Sequence, residues 1–220
     1  MYAVIRMITS LLFGIARLLY GMEIEGMDRI PEKGPFILAF DELGHMATMM
    51  TTVFVAHNIL GGRLEQPVGF GDEFMWSQGW RRIYDKGDST PIFPHGRGQA
   101  AHGLLRGLAA LQEGKIVMMN PTGEMSWDGK PVPLKKAVAW LALRSGAPVI
   151  LVVATKGAYD VRPKWMERPQ LTGRFSLRVA EPMYLSEAPL ASVSDEMVAE
   201  ANAKLRTEMN LLVYGTAEVA

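Results

Sequence analysis

The stretch Leu111-Gln-Glu-Gly-Lys-Ile-Val-Met-Met-Asn-Pro-Thr-Gly-Glu-Met-Ser126 decides the fold. It closes a helix at Gly114, runs as a short apolar strand through 115–120, and breaks at Pro121 into a Thr-Gly turn. A helix stop followed at once by a buried strand is the joint of an α/β unit. The same joint recurs downstream, where residues 133–145 read as a helix closed by Gly146 and 147–154 as an apolar strand. Upstream, 99–112 is the helix that feeds the first joint.

Working outward, strands and helices keep alternating. Residues 22–26 alternate apolar and polar as an edge-like strand, 31–34 form a turn, and 35–40 suit a buried strand. Asp41 is placed to cap a helix reaching about residue 60, ended by Gly61-Gly62. Residues 67–71 suit a strand, 73–84 a helix rich in aromatics, and 91–94 a short extended piece. Residues 174–179 alternate as a further strand, and 194–213 form a long C-terminal helix. The expected architecture is an α/β sandwich around a mixed sheet, residues 23–220, behind an N-terminal hydrophobic helix, residues 1–22. Repeats, low-complexity tracts and linkers are absent. The least regular interior stretch, 159–173, is a candidate cover for a groove.

Bulk properties narrow the function. A chain of 220 residues that is 49% hydrophobic and 21% charged is globular and buries a sizeable core. Lys plus Arg and Asp plus Glu both number 23, so the formal net charge is zero, which argues against nucleic acid as a partner. There is no cysteine, and the four histidines form no His-Glu-x-x-His run, so no metal site is expected. Gly61-Gly62 and Gly96-Arg-Gly98 match neither a Rossmann nor a P-loop pattern, and no cofactor is expected. Fifteen methionines suit irregular core packing or an adaptable apolar groove. The cluster Phe70, Phe74, Met75, Trp76 and Trp80 reads the same two ways, core or groove lining.

Residues 1–22 are nearly all apolar, interrupted by Arg6, Ser10, Gly14 and Arg17 at spacings that stack on one helical stripe. The longest uncharged run, 7–16, is far shorter than the ~20 residues of a spanning helix. No small-residue cleavage site follows, as a signal peptide requires. The helix either packs on the domain or lies in a membrane interface with its arginines near lipid phosphates.

Three ordered segments resemble the glycerolipid (lysophospholipid) acyltransferase family. The first is Ile30-Pro-Glu-Lys-Gly-Pro-Phe-Ile-Leu-Ala39, similar to the strand before that family's catalytic motif. The second is the 111–126 stretch with Asp128-Gly-Lys-Pro-Val-Pro-Leu-Lys-Lys136, which resembles the family's Pro-Glu-Gly-Thr-Arg-Ser motif and downstream Pro-Phe-Lys. The third, 142–153, resembles the Gly-x-Pro strand, and Val179-Ala-Glu-Pro-Met183 resembles the closing Gly-x-Pro-Ile. The resemblance spans about residues 1–213. It implies a membrane-surface habit through residues 1–22, peripheral or monotopic on a cytoplasmic face, and a lipid or acyl thioester as partner.

In that family a His-x4-Asp motif opens a helix, with histidine as the base toward an acceptor hydroxyl and aspartate as its orienting charge. Here the window reads Asp41-Glu-Leu-Gly-His-Met-Ala47, so Glu42 stands at the histidine position and Ala47 at the aspartate position. The family's Glu-Gly-Thr-Arg becomes Thr122-Gly123-Glu124-Met125, and Met125 cannot supply the bidentate donors of a phosphate clamp. His95 and Arg97, in Phe93-Pro-His-Gly-Arg97, and Lys135 are candidate replacements for the lost charge. Two bases remain open: His45 paired with Asp41 at i and i+4, or Glu42 with a carboxyl raised by burial. Against both stands a plain reading of Asp41 as cap, Glu42 as first-turn acid and His45 as an ordinary helix residue. The leading expectation is a family-like protein that binds an acyl chain or lipid without the usual histidine chemistry. An active acyltransferase with a non-standard base, and a non-catalytic partner of a lipid enzyme, are the alternatives.

Overall fold

The structure, a computed structural model, describes residues 2–40, 43–60, 68–71, 90–91, 97–171 and 173–218. Three strands form its centre: β2 (Phe36–Phe40), β5 (Ile116–Met119) and β6 (Val149–Ala154). Each is a run of apolar residues with almost no polar interruption, and β6 is buried at all six positions. A strand covered by helices on both faces has no polar side to show, so it reads as continuous rather than alternating. Residues Glu23–Glu25 (β1), exposed at both glutamates, have the alternating pattern of an edge.

Among the described residues the sheet has seven strands in the order β1-β7-β6-β2-β5-β3-β4, with β3 at Val68–Gly71, β4 at Thr90–Pro91 and β7 at Ser176–Val179. All neighbours are parallel except β6 and β7, which makes the sheet mixed, as expected. Parallel pairing of β2 with both β5 and β6 brings the carboxyl ends of these three strands together. Right-handed crossovers then sort the helices by direction of travel. The helix α2 (His45–Leu60) carries the chain one way along the sheet, whereas α3 (Arg97–Gln112) and α4 (Lys136–Ser145) carry it back. They therefore cover opposite faces, α2 with α1 (Tyr2–Tyr20), and α3 and α4 with the C-terminal α6 (Asp195–Tyr214).

Local stop signals act where the sequence places them. Gly146 ends α4 with φ 69° and its N–H on the Ala142 carbonyl, and the Ser194 hydroxyl caps α6 by accepting from Met197 N–H. One boundary differs: the helix expected from Asp41 begins at His45, its first turn closed by Thr48 N–H on the Gly44 carbonyl at 3.0 Å. Leu43 and Gly44 form a bend instead. Asp41 and Glu42 themselves, Gly61-Gly62, the helix expected over 73–84 and most of the 91–94 piece lie outside the described residues.

No described helix is long and apolar enough to cross a membrane. Helix α1 packs on α2, and its inward residues Thr9, Phe13, Ala16 and Tyr20 recur at spacings of one helical turn. Its Thr9 hydroxyl is 3.1 Å from His57 Nδ1, and Phe13 meets the His57 ring edge-on at 5.4 Å. On α2, Met46, Ala47, Met50, Phe54 and Val55 face the core. Phe54→Ala should cost roughly 3–5 kcal/mol, because it empties a fully buried site. Leu18→Glu, at a position 84% exposed, should change stability by less than about 0.5 kcal/mol. Urea unfolding of the two variants checks the contrast.

Candidate active site at the carboxyl ends of the central strands

In a parallel sheet, ligands bind outside the carboxyl ends of the strands, where the following loops converge. Three such loops converge here: 43–45 after β2, 120–130 after β5, and 155–174 after β6, the last beginning with the short helix α5 (Gly157–Val161). Tyr159 on α5 is the wedge between the other two. A Cβ at Gly44 would stand 3.2 Å from its ring and 3.0 Å from the Arg162 carbonyl, and a Cβ at Gly129 would stand 2.8 Å from the ring. The tyrosine hydroxyl donates to the Trp127 carbonyl, closing the ring's polar end. Gly129 also sits at φ 75°, a backbone region that side chains rarely adopt, while its carbonyl accepts from Tyr214 at 2.9 Å.

Beyond α5 the chain turns back across the crevice and places Lys164 at its middle. The His45 imidazole, half-buried at the start of α2, lies with Nε2 2.9 Å from the Lys164 carbonyl. A carbonyl only accepts, so Nε2 carries the proton and Nδ1 keeps the lone pair when the ring is neutral. The Lys164 ammonium lies 3.4 Å from the Met125 carbonyl and 4.2 Å from the centroid of the Trp127 ring. One residue thus joins the loops after β2 and β5, 119 positions from His45 in the chain.

The other sequence-chosen residues fall into two groups. Thr122 is buried and structural: its N–H reaches Asn120 Oδ1 at 2.8 Å, and its hydroxyl stands 2.7 Å from that oxygen and 2.8 Å from the Glu124 carbonyl. Gly123 turns the chain at φ 66°, and the exposed Glu124 pairs with Lys135 at 3.4 Å. Met125 is half-buried beside Lys164. His95 lies outside the described residues, and Arg97 is placed only as the first residue of α3. The structure therefore gathers His45 and Met125 around Lys164, and Thr122, Gly123, Glu124 and Lys135 in the turn after β5.

Lys164, Tyr159 and Trp127 escaped the sequence reading as site residues. The one available signal was the irregularity of 159–173, which marked the loop without marking a residue in it. No described cluster of His, Asp or Glu could hold a metal. A shallow cleft of about 540 Å³ opens nearby at the end of β6, lined by Thr155, Lys156, Gly157, Arg174, Arg178 and Tyr214 among others. None of the residues chosen from the sequence lines it.

The crystal structure of the 1-acyl-sn-glycerophosphate (LPA) acyltransferase PlsC from Thermotoga maritima superposes with a TM-score of 0.59. The fold is acyltransferase-like. That likeness covers 93% of this chain and 76% of the Thermotoga chain at 20% sequence identity, so it is a likeness of architecture. No protein-family model matches the sequence, nor does any curated protein.

Gly129→Ala should lower stability by at least about 1–2 kcal/mol, from the left-handed backbone alone, with the Tyr159 clash added. Tyr159→Phe, which keeps the wedge and loses one hydrogen bond, should cost less than about 1.5 kcal/mol. Thermal unfolding of both variants tests that ordering.

Proposed function

We propose that this chain works at a membrane surface, on the cytoplasmic face and without spanning it, and binds an acyl chain or lipid on an acyltransferase-like architecture. The observation that carries the reading is the double face of α1. Thr9, Ala16 and Tyr20 are buried against the domain, while Met7, Ile8, Leu11, Ile15, Leu18 and Leu19 are all exposed, Leu11 at 62% and Leu18 at 84%. At 100° per residue the exposed apolar residues fall opposite the buried ones, and Arg6, Ser10, Gly14 and Arg17 flank them along one side. A helix that only packed on its domain would place polar residues on the outside. Apolar residues outward with arginines at the flank suit the boundary between acyl chains and anionic headgroups.

Replacing Leu11 and Leu18 together with glutamate should lower partitioning onto phosphatidylglycerol vesicles by more than about tenfold, since two leucines lose favourable burial. Both side chains face water in the free protein, so unfolding should be unaffected. Vesicle co-sedimentation measures the effect, and equal partitioning of variant and wild type retires the surface reading.

A second reading, an acyltransferase moving an acyl group from an acyl thioester to a hydroxyl acceptor, is favoured by the His45–Lys164 contact. In a histidine base, a partner on one ring nitrogen fixes the tautomer and leaves the other free for the proton. The Lys164 carbonyl does this for His45, a role the sequence offered to Asp41. Nδ1 would take the acceptor's hydroxyl proton as its oxygen attacks the thioester carbonyl. Collapse of the tetrahedral intermediate breaks the C–S bond, and the departing thiolate receives the proton from the imidazolium. The Lys164 ammonium offers a point charge to a phosphate, without the bidentate geometry of an arginine.

If this chemistry runs, His45→Ala should cut thiol release from acyl-CoA with a lysolipid acceptor by about 10²–10⁴-fold. Asp41→Asn should have little effect. Loss on Glu42→Ala with His45→Ala retaining activity moves the base to Glu42. No release from wild type leaves the lipid-binding reading alone, and a protein that also ignores vesicles is a scaffold.

A further inference from the structure

We propose that the loop Arg162-Pro-Lys-Trp-Met-Glu-Arg-Pro-Gln-Leu171 is a second lipid-contact element, which seats the His45 crevice against an anionic headgroup layer. The proposal rests on the reading of α1 as a membrane-surface helix and extends that surface to the mouth of the candidate site.

Charge is the first observation. Within a chain of zero formal net charge, this loop carries Arg162, Lys164 and Arg168 against Glu167 alone. The local excess of positive charge complements anionic lipid. Exposed apolar area is the second. Trp165 is 62% exposed and Leu171 75%, and Trp127, whose ring lies under the Lys164 ammonium, is 63% exposed. Exposed indole rings, one with a cation over it, suit the headgroup level, where one side of the ring meets acyl chains and the other meets water and phosphate.

The third observation is how the loop is held. Its backbone is pinned from within, by Gln170 N–H on the Val161 carbonyl at 2.8 Å, Met166 N–H on Pro163 at 3.2 Å and the Arg162 guanidinium on the Glu167 carbonyl at 2.9 Å. A loop with this many internal ties presents Trp165 and Leu171 outward as fixed features. It is also joined to α1: the Tyr20 hydroxyl donates to the Gln170 carbonyl at 3.0 Å, in the last turn of the helix that exposes Leu18 and Leu19. The apolar surface of α1 and that of the loop are thus linked through one hydrogen bond. At the loop's other end the Lys164 carbonyl holds His45. A loop seated among headgroups would put the imidazole one hydrogen bond from the bilayer surface, so a lipid could reach it without entering water.

Because the chain has no cysteine, single sites can be labelled one at a time. Leu18→Cys, Trp165→Cys, Leu171→Cys and, as a control on α6, Glu200→Cys would each carry an environment-sensitive NBD probe. Phosphatidylcholine vesicles with and without phosphatidylglycerol would then be added. The expected result is a severalfold rise in emission at 18, 165 and 171 with the anionic vesicles, quenched by nitroxide-labelled lipid, and none at 200. A rise at 18 with silence at 165 and 171 overturns the loop assignment and leaves the α1 reading standing. Silence at all four sites removes both. A rise at 165 with an acidic acyl-carrier protein and none with vesicles assigns the loop to a protein partner and overturns the lipid assignment. In the unlabelled full chain, Trp127→Ala with Trp165→Ala should weaken anionic-vesicle binding about five- to tenfold with an unchanged melting temperature. Unchanged binding also overturns the proposal.

Discussion

The Tyr159 ring, wedged between Gly44 and Gly129, is the contact on which the candidate site depends. Parallel pairing of β6, β2 and β5 brings three chain ends to one edge of the sheet, but pairing alone leaves the following loops free to diverge. The tyrosine closes that freedom because it touches both neighbouring loops and belongs to the third. Both neighbours are glycine for the same reason: a methyl group at either position would intrude on the ring or the adjacent backbone. With α5 fixed in this way, the next residues have a single direction to follow, back over the crevice, and Lys164 arrives between His45 and Met125.

Two layers of apolar contact then act in opposite senses on the same face of the protein. The inner side of α1 joins α2 and the core, and its outer side stays in water. Close packing explains the first layer, since Thr9 and Phe13 of α1 meet His57 of α2 while Ala16 is buried in the core. It does not explain the second. Six large apolar residues held outward on one helix are costly to leave solvated, and a surface that meets acyl chains removes that cost. The link from Tyr20 to Gln170 makes the position of the loop depend on the position of the helix.

The fold was legible because its signals are local. Apolar runs at 35–40, 115–120 and 147–154, punctuated by Gly114 and Gly146, mark buried strands and their joints without reference to any distant residue. The candidate site was legible only in part, and the reason is sequence separation. His45, Met125 and the Thr122 turn follow strands directly and so could be placed at the carboxyl edge. Lys164 follows an irregular loop, and nothing in its neighbourhood distinguishes it from any other exposed lysine until the loop is folded over the sheet. The start of α2 failed for a subtler reason. Asp41 is a good cap by type, but the Leu43–Gly44 bend intervenes, and Gly44 packs there against the Arg162 carbonyl and the Tyr159 ring, contacts invisible to local reading.

Ala47, at the position where the family resemblance expects an aspartate, carries a packing constraint of its own. Ala47 is fully buried, one turn from Met50 and Thr51, and its carbonyl accepts the Thr51 hydroxyl at 2.9 Å. A carboxylate at this position would be a charge taken out of water, tolerable only beside a partner that compensates it. Alanine leaves this point of α2 uncharged, with Met46 and Met50 buried on the same helix. The group that holds the His45 ring is a backbone carbonyl, that of Lys164, which adds no buried charge.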